Sequence, residues 1–244
     1  MDLPKKERKF DSKPDMGSVK GMFSSTKTLD EEGEDRRGFI KKVYAITATM
    51  MLITTACVFF VLVRKDVHEW MKENLWLHYA ALFAGIVLMI GIICCKSCAR
   101  KVPNNYIYLF LFTICWSYMV AGICGYYEPE IVALAATVTL FLFLGLTTFA
   151  CCCKGMKLTC CWVLGATLSF AMWPMLIWFF IAPSKALYNV FNVLGVIVCS
   201  IYIMIDTKII MSYLAVDEYV FGALMLYIDL IQLFLHILSL MGNN

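Results

Sequence analysis

The chain has 244 residues, of which 61% are hydrophobic and 16% charged, with a formal net charge of +3 and a mean hydropathy of +0.75. A soluble domain is about half apolar and about a quarter charged, so this composition excludes an ordinary soluble enzyme and makes lipid the solvent for most of the chain. No P-loop, dinucleotide fingerprint or basic–aromatic surface is present, which argues against nucleotide or nucleic-acid partners.

Residues 1–38 are polar and charge-dense, with an acidic run at DEEGED and no apolar periodicity. They are expected to form a disordered cytosolic tail. The first apolar stretch starts near residue 39, too late and too long for a cleaved signal peptide, and reads as a signal anchor. About 20 apolar residues cross a bilayer as a helix. Seven such spans follow in order, at about 39–63, 75–95, 106–127, 131–153, 158–182, 187–211 and 219–241. The connections (RKDVHEWMKEN, KSCARKVPNN, the residues around EPE, KGMK, PSKA and SYLAVDE) are short, so consecutive helices should be antiparallel neighbours. Between the third and fourth spans, Pro129 and two acids predict a turn.

Lipid offers no partner to an open backbone, so only helices or a closed barrel can span. These segments are twice the length of a barrel strand and do not alternate. The fold class is an all-α polytopic membrane protein of seven transmembrane helices. Seventeen Lys and Arg lie on the side of the N-terminal tail and of the second, fourth and sixth loops, against four on the other side. The positive-inside bias therefore predicts a cytosolic N-terminus. Seven full spans put the C-terminus outside, and a re-entrant last segment would return it to the cytosol.

Eight of the twelve cysteines sit at the cytosolic helix ends: Cys94, Cys95, Cys98, Cys151, Cys152, Cys153, Cys160 and Cys161. A reducing cytosol argues against disulfides. Three readings stay open: packing filler, S-acylation and a zinc half-site in CCKSC, which no neighbouring His or acid completes.

Two carboxylates interrupt the last spans, Asp206 in SIYIMIDTKII and Asp229 in LMLYIDLIQLFLHIL. An ionised acid at the bilayer centre costs about 2.5–3.5 kcal/mol on insertion scales, and such residues mark function by default. Counted from the turn between the two helices, their depths differ by roughly 5 Å. At 100° per residue, Asn192, Gly195, Cys199, Tyr202 and Asp206 share one face of the sixth helix; Asp229, Gln232, His236 and Ser239 share one face of the seventh. Facing stripes would line a path. Asn192, Gln232 and Ser239 are equally well read as interhelical glue, and His236 as a satisfied interior histidine. Two facing acids are not glue, because like charges at close range do not both ionise; a proton, a metal ion or a base must offset them.

RRGFIKKVYAITATMMLITT at 36–55, ARKVPNNYIYLFLFT at 99–113, EIVALAATVTLFLF at 130–143 and, above all, IYIMIDTKIIM followed by DEYVFGALMLYIDLIQLFLHIL resemble the transmembrane Bax inhibitor motif family, also called lifeguard proteins. The resemblance covers residues 36 to about 240. The charged tail departs from it, since many animal members carry a Pro-, Gly- and Tyr-rich tail instead. The resemblance implies that six helices wrap a central last one, that Asp206 and Asp229 form a pH-sensing pair near the cytosolic mouth of a pore, and that an arginine after the second span locks the pore by pairing with an Asp. Arg100 is the best match for that lock, with Lys101 beside it. Glu130 matches a recurrent family acid at the start of the fourth span. Calcium leak and suppression of cell death are the activities implied.

The expected function is therefore that of a non-enzymatic, pH-sensitive calcium leak channel. It needs no cofactor, since calcium is the transported ion, held transiently at Asp206 and Asp229 with Asn192, Gln232 and His236 lining the path. Expected partners are membrane lipid, calcium ions and cell-death regulatory proteins. The expected location is the endoplasmic reticulum or Golgi, with the plasma membrane as the other candidate. A non-conducting scaffold that binds cell-death proteins is the alternative. An intramembrane aspartic protease is disfavoured because the contexts MIDTK and YIDLI contain no GxGD.

Overall fold

The computed structural model describes residues 16–94, 103–152 and 158–242, with side chains from residue 34. The polypeptide divides into a small N-terminal unit, Met1–Gly38, and a large unit, Phe39–Asn244. All regular structure among the described residues is helical: α1 (Met16–Val63), α2 (Lys65–Glu73), α3 (Leu75–Cys94), α4 (Asn104–Cys124), α5 (Pro129–Cys152), α6 (Leu158–Ile181), α7 (Lys185–Ser212) and α8 (Tyr219–Met241). Seven of them, all but α2, carry a stretch long and apolar enough to cross a membrane, the architecture the sequence predicts.

The first helix begins at Met16 and so includes much of the charged stretch; its apolar span is confined to Glu34–Val63. Pro129 opens α5 at its first position, where its missing N–H costs nothing. The preceding residues turn on Tyr126 N–H donating to the Ile123 carbonyl (3.2 Å) and Tyr127 N–H to that of Cys124 (3.0 Å). α8 is one unbroken helix of 23 residues, without the break that a re-entrant segment requires.

Hydroxyls on exposed helix faces show how the chain meets an apolar solvent. Thr49, Thr55, Thr137, Thr148 and Thr167 each donate to the carbonyl four residues back, at 2.7–2.9 Å. That bond satisfies a hydroxyl that lipid cannot. Pro174 lies inside α6, a position that membrane helices tolerate where neighbours re-satisfy the backbone.

Burial is uneven. Half of α7 and half of α8 are buried, against 11% of α3 and 6% of α6. The last two helices thus supply the core, and α3 and α6 are the lipid-facing shell. The largest fully buried side chains, among them Tyr227, Ile203, Ile210, Leu224 and Leu233, lie on α7 and α8, with Phe112 of α4 set edge-on to Tyr227 at 6.0 Å.

One element departs from the loop expected between the first two spans. Residues 65–73 form the short helix α2, which buries His68 and Met71 and exposes its charges. Arg64 and Asp66, both exposed, hold a two-bond ion pair at 2.9–3.0 Å at its start. His68 meets Tyr126 edge-on at 4.9 Å and occupies the notch left by the missing side chain of Gly125. Neither of its ring nitrogens has a hydrogen-bond partner among the described residues.

Burial pushes the His68 imidazole below its ordinary range; Lys72 pushes the same way and Glu69 opposes it. A depressed folded-state value means that the undocked helix takes up a proton more readily than the docked one. The docking contribution is therefore complete above the unperturbed value of about 6.5 and is lost as pH falls below it. Hydrogen exchange in residues 65–73, corrected for intrinsic rates, should accelerate between about pH 7 and about pH 5. His68→Gln should flatten that dependence. Equal pH profiles in the two proteins would show that His68 does not control docking.

Candidate functional site

α7 and α8 run antiparallel from the turn at 213–218, so residues at similar distances from that turn, within about one helical turn, come side by side. Three polar pairs result. Nearest the turn, the Asp206 and Asp229 side chains lie against each other across the α7–α8 seam. Asp206 is 6% exposed, and Asp229 Oδ2 is buried with no partner among the described residues. Next, the Cys199 thiol points at Gln232 Oε1, at 4.0 Å. Farthest in, His236 Nδ1 lies 3.0 Å from Asn192 Oδ1, while Asn192 Nδ2 donates to the Tyr188 carbonyl at 2.9 Å.

The row continues past His236. Ser239 lines a cavity of about 390 Å³ together with Tyr127, Phe179, Ser184, Lys185, Tyr188 and Gly242. Ser184 caps α7, accepting from Leu187 N–H at 3.2 Å. Polar side chains therefore recur along α7 and α8 from the acid pair, toward the 213–218 turn, to a cavity at the other end of the two helices.

The chemistry of the pair follows from its contact. A carboxylate only accepts, so a hydrogen bond between two carboxyls needs a proton on one of them. Carboxyls packed this closely do not both ionise readily, so a proton, a cation or a base has to offset the pair. Thr207, next to Asp206, is fully buried and receives a long bond of 3.5 Å from Tyr44 Oη of α1.

The sequence-predicted residues fall into three groups. Asp206, Asp229, Asn192, Gln232 and His236 come together as described. Glu130 does not join them: it is exposed in the first turn of α5, and the other end of that helix meets α7 beyond Asp206 through Cys151 and Met211. About 30 Å of helix separates Glu130 from that contact, and its place fits a favourable acid at a helix N-terminus. Arg100 and Lys101 lie outside the described residues. No group of three or more His, Cys, Asp or Glu is placed to hold a metal among the described residues.

A second polar cluster escapes the sequence reading. Thr54 Oγ1 of α1 meets Ser117 Oγ of α4 at 2.9 Å and Tyr227 Oη of α8 at 2.8 Å. Thr47 donates to the Ala223 carbonyl at 3.3 Å, and Asn105 Nδ2 to Tyr219 Oη at 2.8 Å. Tyr219, Ala223 and Tyr227 share one face of α8, opposite the Asp229 face. Their spacing of four was the available signal, hidden because their partners lie on α1 and α4, more than 100 residues away.

Gly195 is what lets the row close. A Cβ at this position would run into the His236 imidazole. Gly195→Ala should push His236 off Asn192 and loosen the α7–α8 contact, costing about 1–3 kcal/mol as overpacking does. Thermal unfolding in detergent checks this, and His236→Ala on the same background should restore most of the loss. Unchanged unfolding in Gly195→Ala would mean that the ring has room to move.

The model for the family described as "Inhibitor of apoptosis-promoting Bax1" matches residues 36–244. The human protein named "Protein lifeguard 3" is 27% identical over 217 residues, 86% of this chain and 70% of the relative. The Schizosaccharomyces pombe protein named "Bax inhibitor 1" is 28% identical over 229 residues, 91% of this chain and 82% of the relative. Mouse "Protein lifeguard 3" is 26% identical over 217 residues, with the same coverage as the human protein. With the family match spanning all seven membrane helices, the chain belongs to the Bax inhibitor family of multi-pass membrane proteins.

Proposed function

We propose that this protein is a pH-gated calcium leak pathway whose gate is the Asp206–Asp229 pair. The observation that carries the reading is the packing of two acids against each other, Asp206 buried and Asp229 with a buried, unpartnered Oδ2, at the end of a polar row in a protein that otherwise keeps charge out of its core. While one proton is shared, the pair is compact and presents little charge. When it leaves, two carboxylates repel each other and attract a cation. The pair titrates as a unit, in two macroscopic steps.

Asn192, Gln232 and His236 supply the path beyond the gate, and the cavity beside Lys185 is its opposite mouth. In this reading the N-terminus and the loops bearing Arg100, Lys154 and Lys208 face the cytosol, which the seventeen-to-four charge asymmetry supports. Arg100, or Lys101 beside it, locks the closed state by pairing with an aspartate. The membrane is an endomembrane, and the consequence of leak is a lower organelle calcium content and suppressed apoptosis. No enzymatic step is involved, and no cofactor is needed.

A second reading, a scaffold that suppresses cell death by protein contact without conducting, draws support from the family description, which names a protein target. Flux separates the two. Calcium entry into dye-loaded proteoliposomes should vary between about pH 6 and about pH 8 in wild type. Asp206→Asn and Asp229→Asn should each lose that dependence, and the double variant should add little, because groups that act as a unit are not additive. Identical flux and pH response in all four proteins would make the aspartates packing residues. Wild type without flux would leave the scaffold standing.

A further inference from the structure

We propose that the cysteines at the Met211 end of α5 and α6 (Cys151, Cys152, Cys160 and Cys161) are S-acylation sites that accept long-chain fatty acyl groups from acyl-coenzyme A. The proposal rests on the orientation adopted above, which puts this end in the cytosol, where that donor and its transferases act.

The structure separates the cysteines by role. Cys124 and Cys199 are buried in the core and pack there. Cys151, Cys152 and Cys160 are exposed, and Cys161 is half-buried. Filler residues are enclosed by neighbours, whereas Cys151, Cys152 and Cys160 are exposed at the last turn of one span and the first turn of the next, Cys151 with one contact to Met211. All four are free thiols, and none belongs to a group placed to hold a metal among the described residues. Of the sequence readings, filler therefore loses ground for these four; Cys95 and Cys98 of the CCKSC zinc reading lie outside the described residues.

The surroundings suit an acyl chain. Phe149 and Trp162, beside the two cysteine pairs in sequence, are exposed at 53% and 45%, so the helix surface next to the thiols is apolar. A chain attached at a helix end enters the hydrocarbon along that surface directly, without crossing the headgroups. In the transfer, the thiolate sulfur attacks the acyl carbonyl carbon, a new S–C bond forms, and the bond to coenzyme A breaks. Coenzyme A leaves as a thiolate and takes up the proton.

One site is more than an anchor. Cys151 Sγ lies 3.4 Å from Met211 Sδ, on the helix that carries Asp206 and five residues beyond it. Acylation there replaces a small thiol contact with a long chain at the end of α7.

The test is acyl-PEG exchange on full-length protein expressed in a eukaryotic host: free thiols blocked, thioesters cleaved with hydroxylamine, and the new thiols tagged with a PEG maleimide. Wild type should show hydroxylamine-dependent mass steps. Cys151→Ser/Cys152→Ser and Cys160→Ser/Cys161→Ser should each lose at least one, and the quadruple variant more. No such steps in wild type, or the same number in wild type and quadruple variant, overturns the proposal. An N-terminal epitope tag, probed after selective permeabilisation of the plasma membrane, reports orientation separately. A reactive tag with no steps refutes acylation alone; a protected tag refutes the orientation and the proposal with it.

Discussion

Every polar atom placed inside a bilayer must find its partner within the protein, and the architecture follows from that requirement. It makes the backbone helical, since only a helix or a closed barrel satisfies its own amides. It turns lipid-facing threonines back onto their own helices. It also sorts the helices, because side chains that cannot satisfy themselves locally have to face one another. Asp206, Asp229, Asn192 and His236 are of this kind, and all lie on α7 and α8, the two most buried spans.

α8 has two polar faces with different work to do. Tyr219 and Tyr227 tie it to α4 and α1, and Lys42 of α1 stands 3.4 Å over the Tyr219 ring. Interhelical hydrogen bonds in membranes average only about 0.6 kcal/mol each, so these bonds choose the rotation of α8 more than they hold the bundle together. Packing around Phe112, Tyr227 and Leu224 supplies the bulk of the attraction. With one face committed to α1 and α4, the opposite face turns to α7 and brings Asp229 to Asp206. The acid contact thus depends on residues that never touch it.

Much of this was legible in the sequence, for physical reasons. Apolar runs of about 20 residues have one meaning in a membrane protein, so the seven helices could be read directly. Asp206 and Asp229 stood out because a carboxylate in such a run is costly, and the 3.6-residue period put Asn192 and His236 on the same stripes. What stayed hidden had no local signature. α2 is amphipathic over only nine residues, too short for periodicity to separate it from a polar loop. The Thr54–Ser117–Tyr227 cluster joins three helices far apart in the chain, and each member alone looks like an ordinary membrane residue. Glu130 matched a family position, yet it stands at the opposite end of α5 from the Cys151–Met211 contact, which a one-dimensional match does not reveal.

The number of oxygens at the acid pair bears on what the pair can do. Two carboxylates offer four oxygens, whereas calcium takes six to eight. No third acid, His or Cys is placed to complete a set among the described residues. Water or backbone carbonyls must therefore supply the remainder, which makes the pair a poor trap. On the proposed reading that weakness is useful, because an ion bound by a full cage stays, and conduction needs a site favourable enough to enter and weak enough to leave. On that reading proton and ion compete for the same oxygens, since a proton shared between the carboxyls occupies lone pairs that a cation needs. On the proposed reading, gating and binding are one event at one pair of side chains, and the neutral amides of Asn192 and Gln232 beyond it would pass an ion along without holding it.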